Sequence, residues 1–207
     1  ESRGLGDVYK RQVKGWLSDW EDGGKTLHRV AKDGHGFDRA AWDGFARDQG
    51  MAGISIAEQY GGAGMGLLGR TVIMEETGYT LFSAPFFSTC VLAADIIEAF
   101  ASEDDKADLL NKIASGDIII SALDGRGKLS LEDNKLNGTI SPATDAVHAD
   151  LILVATQNKD NDIVLTGYSP NTAGLSVTPY ASIDPTRSQA KVSFLSLIHI
   201  SEPTRLE

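Results

Sequence analysis

The apolar pattern changes period once along this chain, near Gly116, and that switch constrains the fold more than any other feature. Before it, apolar side chains recur every three or four residues, the spacing that lines one face of a helix. Ala41, Trp42, Phe45 and Ala46 make one such face, on a short helix that Gly50 can close. Residues 67–77 predict a second helix, with Val72, Ile73 and Glu76 one turn apart. Residues 87–100 are apolar nearly all round, which predicts a helix buried between other helices. Ser102 then offers an N-cap hydroxyl, and Glu103, Asp104 and Asp105 fill a first turn where the helix dipole favours carboxylates. Leu109, Leu110 and Ile113 give that helix its buried face, and Gly116 ends it.

Beyond Gly116 the runs become short and β-branched or alternating: residues 118–122, 151–156, 163–166, 175–178 and 190–194. Asn, Asp and Gly clusters separate them, and Asn137-Gly138 and Asn161-Asp162 predict hairpin turns. Helices followed by a run of strands predict an α+β fold with segregated halves.

The two ends of the chain carry an unusual relationship. Residues 2–12 read forwards and 195–205 read backwards pair through the genetic code as reverse complements. Two strands of one DNA element would give this, and the pair resembles a translated sequencing-library adapter. Residues 1–12 and 195–207 are therefore expected to be non-native and are left out of fold reasoning. The expected native text is 13–194, about 180 residues, enough to bury a real core. The flanks carry equal numbers of acidic and basic residues, so the formal charge of −10 belongs to the native part. Such an acidic chain with no basic stripe argues against nucleic acid and against anionic membranes as partners. No apolar stretch reaches the roughly 18 residues that span a bilayer, and the cytoplasm is the expected compartment.

Isolated reactive side chains carry little signal. Cys90 has no partner cysteine and sits in an apolar run, which predicts a buried, inert thiol. His28 and His35 are seven residues apart without cysteine or a suitable carboxylate, which does not suit a metal. His148 and Asp145 could form a dyad, although a surface histidine in a turn is the plainer reading. Trp16, Trp20 and Trp42 read as core, because the charge is wrong for a nucleic-acid stacking platform.

Residues 48–66 stand out, with Glu58, Tyr60 and then four glycines between Gly61 and Gly66. Glycine permits backbone angles and close approaches closed to other residues. A phosphate-cradling loop is the sharper alternative, but no strand precedes the glycines and no Gly-Lys-Ser/Thr follows. Eight residues later come Met74, Glu75, Glu76, Thr77 and Gly78, and then Pro85. This succession resembles the N-terminal helical domain of the acyl-CoA dehydrogenases, with its "G-I-x-x-P-E-x-Y-G-G-x-G" and "E-E-x-G" patterns. Ala57 stands where that family usually has proline. The resemblance covers most of residues 42–117. A weaker one continues through Leu136-Asn137-Gly138, residues 149–155 and the stretch from Asp184 to Arg187 with Val192 and Phe194, which is similar to the family's middle domain. An arginine in such a turn is more often a structural ion-pair partner than a ligand.

The resemblance implies a helical domain (13–117) followed by an incomplete antiparallel β-barrel-like domain (118–194). It also implies an FAD-dependent oxidation of an acyl-CoA thioester to its 2,3-enoyl product. The family's catalytic glutamate usually lies in a later helical domain, so no catalytic residue is expected in this chain. Glu75 and Glu76 diverge by about 100° on a helix and are expected to be solvated or capping. Where relatives carry "T-E-P-x-x-G-S-D", this chain has residues 121–127 and a shortened loop, and the flavin-facing aromatic position falls on Pro142. Thr144 is retained and is the one cofactor-binding residue the resemblance transfers. FAD is then held weakly or supplied by a partner. The expected assembly is a homo- or hetero-oligomer with another acyl-CoA dehydrogenase subunit. The alternative is a non-catalytic structural subunit without its own FAD; a third reading is an unrelated helical binding module.

Overall fold

The computed structural model describes residues 2–20, 25–32, 37–132, 135–159, 161–182, 184 and 186–198. Among the described residues six α-helices precede seven strands: α1 (Ser2–Trp20), α2 (Lys25–Lys32), α3 (Arg39–Asp43), α4 (Gly66–Tyr79), α5 (Ala94–Phe100) and α6 (Glu103–Ala114). Wide, π-helical turns extend α3 over Gly44–Asp48 and lead into α5 over Phe87–Ala93. The expected α+β class is what the chain adopts, with the sheets left open.

The helix ends follow the sequence chemistry. Asp38 caps α3 by accepting from the Ala41 N–H at 3.1 Å. Ser102 caps α6, accepting from the Asp105 N–H at 3.2 Å while its hydroxyl donates to the Asp105 carboxylate at 2.7 Å. Gly116, at φ +73°, turns the chain out of α6 as the Asp117 N–H reaches back to the Lys112 carbonyl at 2.9 Å. α1 packs against α4, and in the same core Phe82 meets Trp16 and Trp20 edge to face while Phe45 lies tilted against Trp16 and Phe82, with Trp42 fully buried beside Phe45. The tryptophans are core, as expected.

Two expectations within the helices are corrected. Glu76 is buried, because it continues the α4 stripe of Gly69 and Ile73 that α1 covers. Lys10 lies 3.0 Å from Glu75 and 3.5 Å from Glu76; a long flexible lysine reaches both carboxylates although their helical directions diverge. The helix expected over 87–100 lies against α6 on one side and strand β1 on another, so it is not enclosed by helices alone.

The strands are β1 (Ile120–Asp124), β2 (Leu129–Glu132), β3 (Lys135–Thr144), β4 (Leu151–Gln157), β5 (Ile163–Tyr168), β6 (Leu175–Pro179) and β7 (Gln189–Ile198). They form a three-stranded sheet in the order β1-β4-β5 and a four-stranded sheet in the order β2-β3-β7-β6. All pairs are antiparallel except β1 with β4, which run parallel because β2 and β3 intervene in the other sheet. Ile120, Ile140, Ile152, Val154, Val192 and Phe194 are buried in the sheet half. α1 and β7 continue without a break across positions 13 and 194.

Asn137-Gly138 is not a hairpin turn. Both residues lie inside β3, at an irregularity in its pairing with β7. Gly138 has φ +132°, and a Cβ there would sit 2.6 Å from the Lys128 carbonyl oxygen. The glycine lets the chain entering β2, at Lys128 and Leu129, lie close alongside β3, and the Asn137 carboxamide oxygen accepts from the Ser196 N–H at 2.8 Å. The expected Asn161 turn does join β4 to β5, with Asn161 at φ +65°.

Candidate active site at the helix–sheet seam

The segment that follows α4 fastens the helical half to the sheets through three hydroxyls. Ser83 donates to the Thr186 carbonyl at 2.9 Å, and Ser88 donates to the Asp145 carboxylate at 2.7 Å. Thr89 bonds both backbone groups of Ile120. Phe82 and Phe86 are buried on either side of Pro85 and anchor the segment in the helical core.

An open cleft of about 330 Å³ lies along this seam, lined by Met74, Phe87, Thr144, Arg187 and Gln189. Met74 from α4 and Phe87 from the turns before α5 make an apolar wall. Thr144, the last residue of β3, pairs with Gln189, the first of β7, and with Arg187 makes a polar wall. The Ser121 hydroxyl fixes the Thr144 carbonyl at 2.7 Å. An apolar slot facing a few polar groups suits an amphipathic ligand whose polar end bears on one side.

Asp145 sits directly behind the polar wall. Burial pushes its carboxyl up to about 6, against the opposing effects of the Ser88 hydrogen bond and the Arg187 charge. The Asp145 N–H donates to the Ser188 carbonyl at 2.9 Å. The Asp145–His148 dyad does not form through the side chains described: the Asp145 carboxylate takes Ser88, and the His148 ring stacks on Phe37 with centroids 4.6 Å apart. Arg187, expected to be a structural ion-pair partner, lines the cleft.

The other candidates lie elsewhere. The glycine loop cradles no anion, because the Ala63, Gly64 and Met65 N–H groups are bound to the Gly53, Ile56 and Ile54 carbonyls at 2.9–3.0 Å. Cys90 is fully buried and burial pushes its thiol far up. Among the described residues no cluster could hold a metal ion. His28 is exposed, and His35 lies outside the described residues. No described helix is long and apolar enough to cross a membrane. Thr144, expected from the resemblance as a cofactor contact, lies on the polar wall of this cleft, whereas Met74, Phe87 and Gln189 carried no such signal, since four separate segments meet there.

Residues 23–117 match the family model for the acyl-CoA dehydrogenase N-terminal domain. Acyl-CoA dehydrogenase IpdE2 of Mycobacterium tuberculosis is 30% identical over 158 residues, covering 76% of this chain and 41% of that protein. The ChsE4–ChsE5 complex from Mycobacterium tuberculosis superposes with a TM-score of 0.80 at 21% identity, over 99% of this chain and 56% of that one. This chain belongs to the acyl-CoA dehydrogenase family. A variant of the Tcur3481–Tcur3483 steroid ACAD has the same fold, with a TM-score of 0.80 at 18% identity, over 95% of this chain and 56% of that one. The chain thus spans about two-fifths of the curated acyl-CoA dehydrogenase and just over half of the structural neighbours.

Membership of the acyl-CoA dehydrogenases implies FAD, and the residues around β1 do not fit it. In the turn joining β1 to β2, the Gly125 N–H is bound to the Ala155 carbonyl at 2.8 Å. The Lys128 and Leu129 N–H groups go to the Gly125 carbonyl at 3.0 and 2.8 Å, and the Arg126 N–H goes to Asp124 at 3.1 Å. Four of the five N–H groups from Gly125 to Leu129 are thus taken by the protein itself, and Arg126 is paired with the exposed Asp124 carboxylate, whose proton affinity it lowers, so the turn offers little to an anionic cofactor. Pro142 is exposed and has no π face to offer a flavin ring.

Proposed function

We propose that this chain is part of an acyl-CoA dehydrogenase subunit, and that the cleft between Met74/Phe87 and Thr144/Arg187/Gln189 receives an acyl-CoA thioester. The single observation that carries the proposal is that cleft, apolar on its helical wall and polar on its sheet wall. The parent enzyme oxidises an acyl-CoA to the 2,3-enoyl-CoA with FAD; the base that takes the α-proton lies outside this chain, and Thr144 is the residue here nearest a cofactor role. Chain alone, the protein is inactive. The native part comprises a helical domain over 13–117 and a sheet domain over 118–194, flanked by adapter-derived sequence.

A second reading is favoured by the self-satisfied turn after β1 and by Pro142: a structural subunit that borrows flavin from a partner acyl-CoA dehydrogenase subunit. Heteromeric assembly is supported by the structural likeness to ChsE4–ChsE5, a complex by its own description. Steroid-linked acyl-CoA substrates are consistent with the name of the Tcur3481–Tcur3483 neighbour. A cytoplasmic setting fits this assignment.

The test is to incubate the purified chain with excess FAD, remove free cofactor, and record the visible spectrum and the turnover of octanoyl-CoA. The expected result is no retained flavin band and no turnover. Stoichiometric flavin would contradict the structural-subunit reading, and flavin-dependent turnover would contradict inactivity of the chain alone.

A further inference from the structure

A second open cavity, of about 230 Å³, lies where the end of α1 meets α3, lined by Trp16, Asp19, Trp20 and Ala41. Trp16 and Trp20 are four residues apart on α1 and so share one of its faces. The core braces both indoles. Phe82 stands at 86° to each of them, with centroids 5.5 Å from Trp16 and 4.9 Å from Trp20. Gly44 lies close under the Trp16 ring, where a Cβ would come 3.3 Å from Cζ2. Rings held this way need little ordering to receive a ligand, and that lowers the cost of binding. Ala41 adds only a methyl group from α3. Asp19 is the charged member of the lining; it is exposed and has no hydrogen bond or ion pair among the described residues. The nearby cation on α3, Arg39, is already paired with Asp43 at 3.0 Å.

We infer that this cavity is a binding site for a compact organic cation, an alkylated ammonium head received by the Trp16 and Trp20 indoles and the Asp19 carboxylate. The electron-rich face of an indole attracts positive charge more strongly than any other aromatic side chain does. The unpaired carboxylate adds a full negative charge to the same lining. An anion is repelled by both features, and a neutral apolar molecule gains only the ring contact. The formal charge of −10 adds a field of the same sign over the whole chain. The acidity that argues against nucleic acid stacking on these tryptophans therefore suits a cation. This cavity shares no lining residue with the cleft at the helix–sheet seam, so the inference stands apart from the acyl-thioester reading.

The experiment titrates the full chain with choline and, separately, with neohexyl alcohol, which has the same shape with carbon in place of the ammonium nitrogen. Sodium chloride is exchanged for choline chloride at constant ionic strength, so that screening does not change during the titration. The readout is the indole Nε–H resonance of each tryptophan by NMR, in wild type and in Asp19→Asn. Asp19 is exposed, so its replacement leaves the helical core intact. Choline is expected to shift Trp16 and Trp20 saturably, with Trp42, which is not in the lining, moving least. Choline should bind about threefold to fivefold more tightly than neohexyl alcohol, the ratio an exposed cation–π contact gives. In D19N choline binding should weaken by about threefold, as for loss of an exposed ion pair, while neohexyl alcohol binding stays the same. Equal affinity for the two probes would overturn the inference, because the cavity would then be selecting for shape and apolarity alone. Choline affinity unchanged in D19N, or no saturable shift at Trp16 and Trp20, would overturn it as well.

Discussion

The hydroxyl of Thr89 both donates to the Ile120 carbonyl, at 3.1 Å, and accepts from the Ile120 N–H, at 3.0 Å. One side chain from the helical half thereby satisfies both backbone groups of the first residue of β1. All the atoms involved are buried, so water cannot take over either bond. Substituting Thr89→Val keeps the volume and orphans both groups, and each buried unsatisfied group costs about 1–3 kcal/mol. The variant is expected to lose about 3 kcal/mol in urea unfolding, whereas Thr89→Ser should lose far less. Equal losses in the two would show that methyl packing, and not the hydrogen bonds, holds this seam.

Gly62 and Gly78 separate two uses of glycine. A Cβ on Gly62 would lie 2.1 Å from the Ile56 carbonyl oxygen and 2.7 Å from that of Gly53. The backbone of the loop before α4 would have to move, so Gly62→Ala is expected to cost about 3 kcal/mol, the upper end for overpacking. Gly78, on the exposed side of α4, meets nothing within 4 Å. Gly78→Ala should stabilise by roughly 0.5–1 kcal/mol through helix propensity. Thermal melts of the two variants should move in opposite directions.

Asp145 should give the protein an inverted acid response. Its folded-state proton affinity lies above the ordinary value, at about 6. Its contribution to stability is therefore complete below the unfolded-state pKa near 4 and is lost as pH rises through 6. Relative to Asp145→Asn, the wild type is expected to lose about 2–3 kcal/mol between pH 4 and pH 7. Parallel stability–pH curves for the two proteins would contradict the assignment.

Exposed Leu67 and Leu68 open α4, and Tyr79 and Leu81 close it, at 48–76% exposure. Large side chains gathered on one element this way mark an association surface. Sedimentation velocity at rising concentration is expected to show self-association, reduced by Leu67→Asp together with Leu68→Lys. A monomer at every concentration would count against the surface.

How much of this could be read in advance depended on how local the cause was. The Ser102 cap and the Gly116 stop follow from residues three to five apart, and both appear where the sequence puts them. Asn137-Gly138 misleads because a turn dipeptide and a glycine required by a neighbouring carbonyl look alike until the turn carrying Lys128 is in place beside β3. Glu76 misleads because a carboxylate inside an apolar stripe is buried once another helix, here α1, packs over that stripe. Thr144 could be located by counting along one strand. Met74, Phe87 and Gln189 could not, since their meeting is a property of the seam and of no single segment.

The central claim is that an acyl thioester binds in the cleft at that seam. The direct measurement is a titration of the full chain with octanoyl-CoA, read at the Met74 methyl and the Phe87 ring by NMR. The predicted result is saturable shifts at both residues and at Thr144, with Trp16 and Trp20 in the helical core unchanged. Shifts confined to the cavity beside Trp16 and Trp20, or none at saturating octanoyl-CoA, would contradict it.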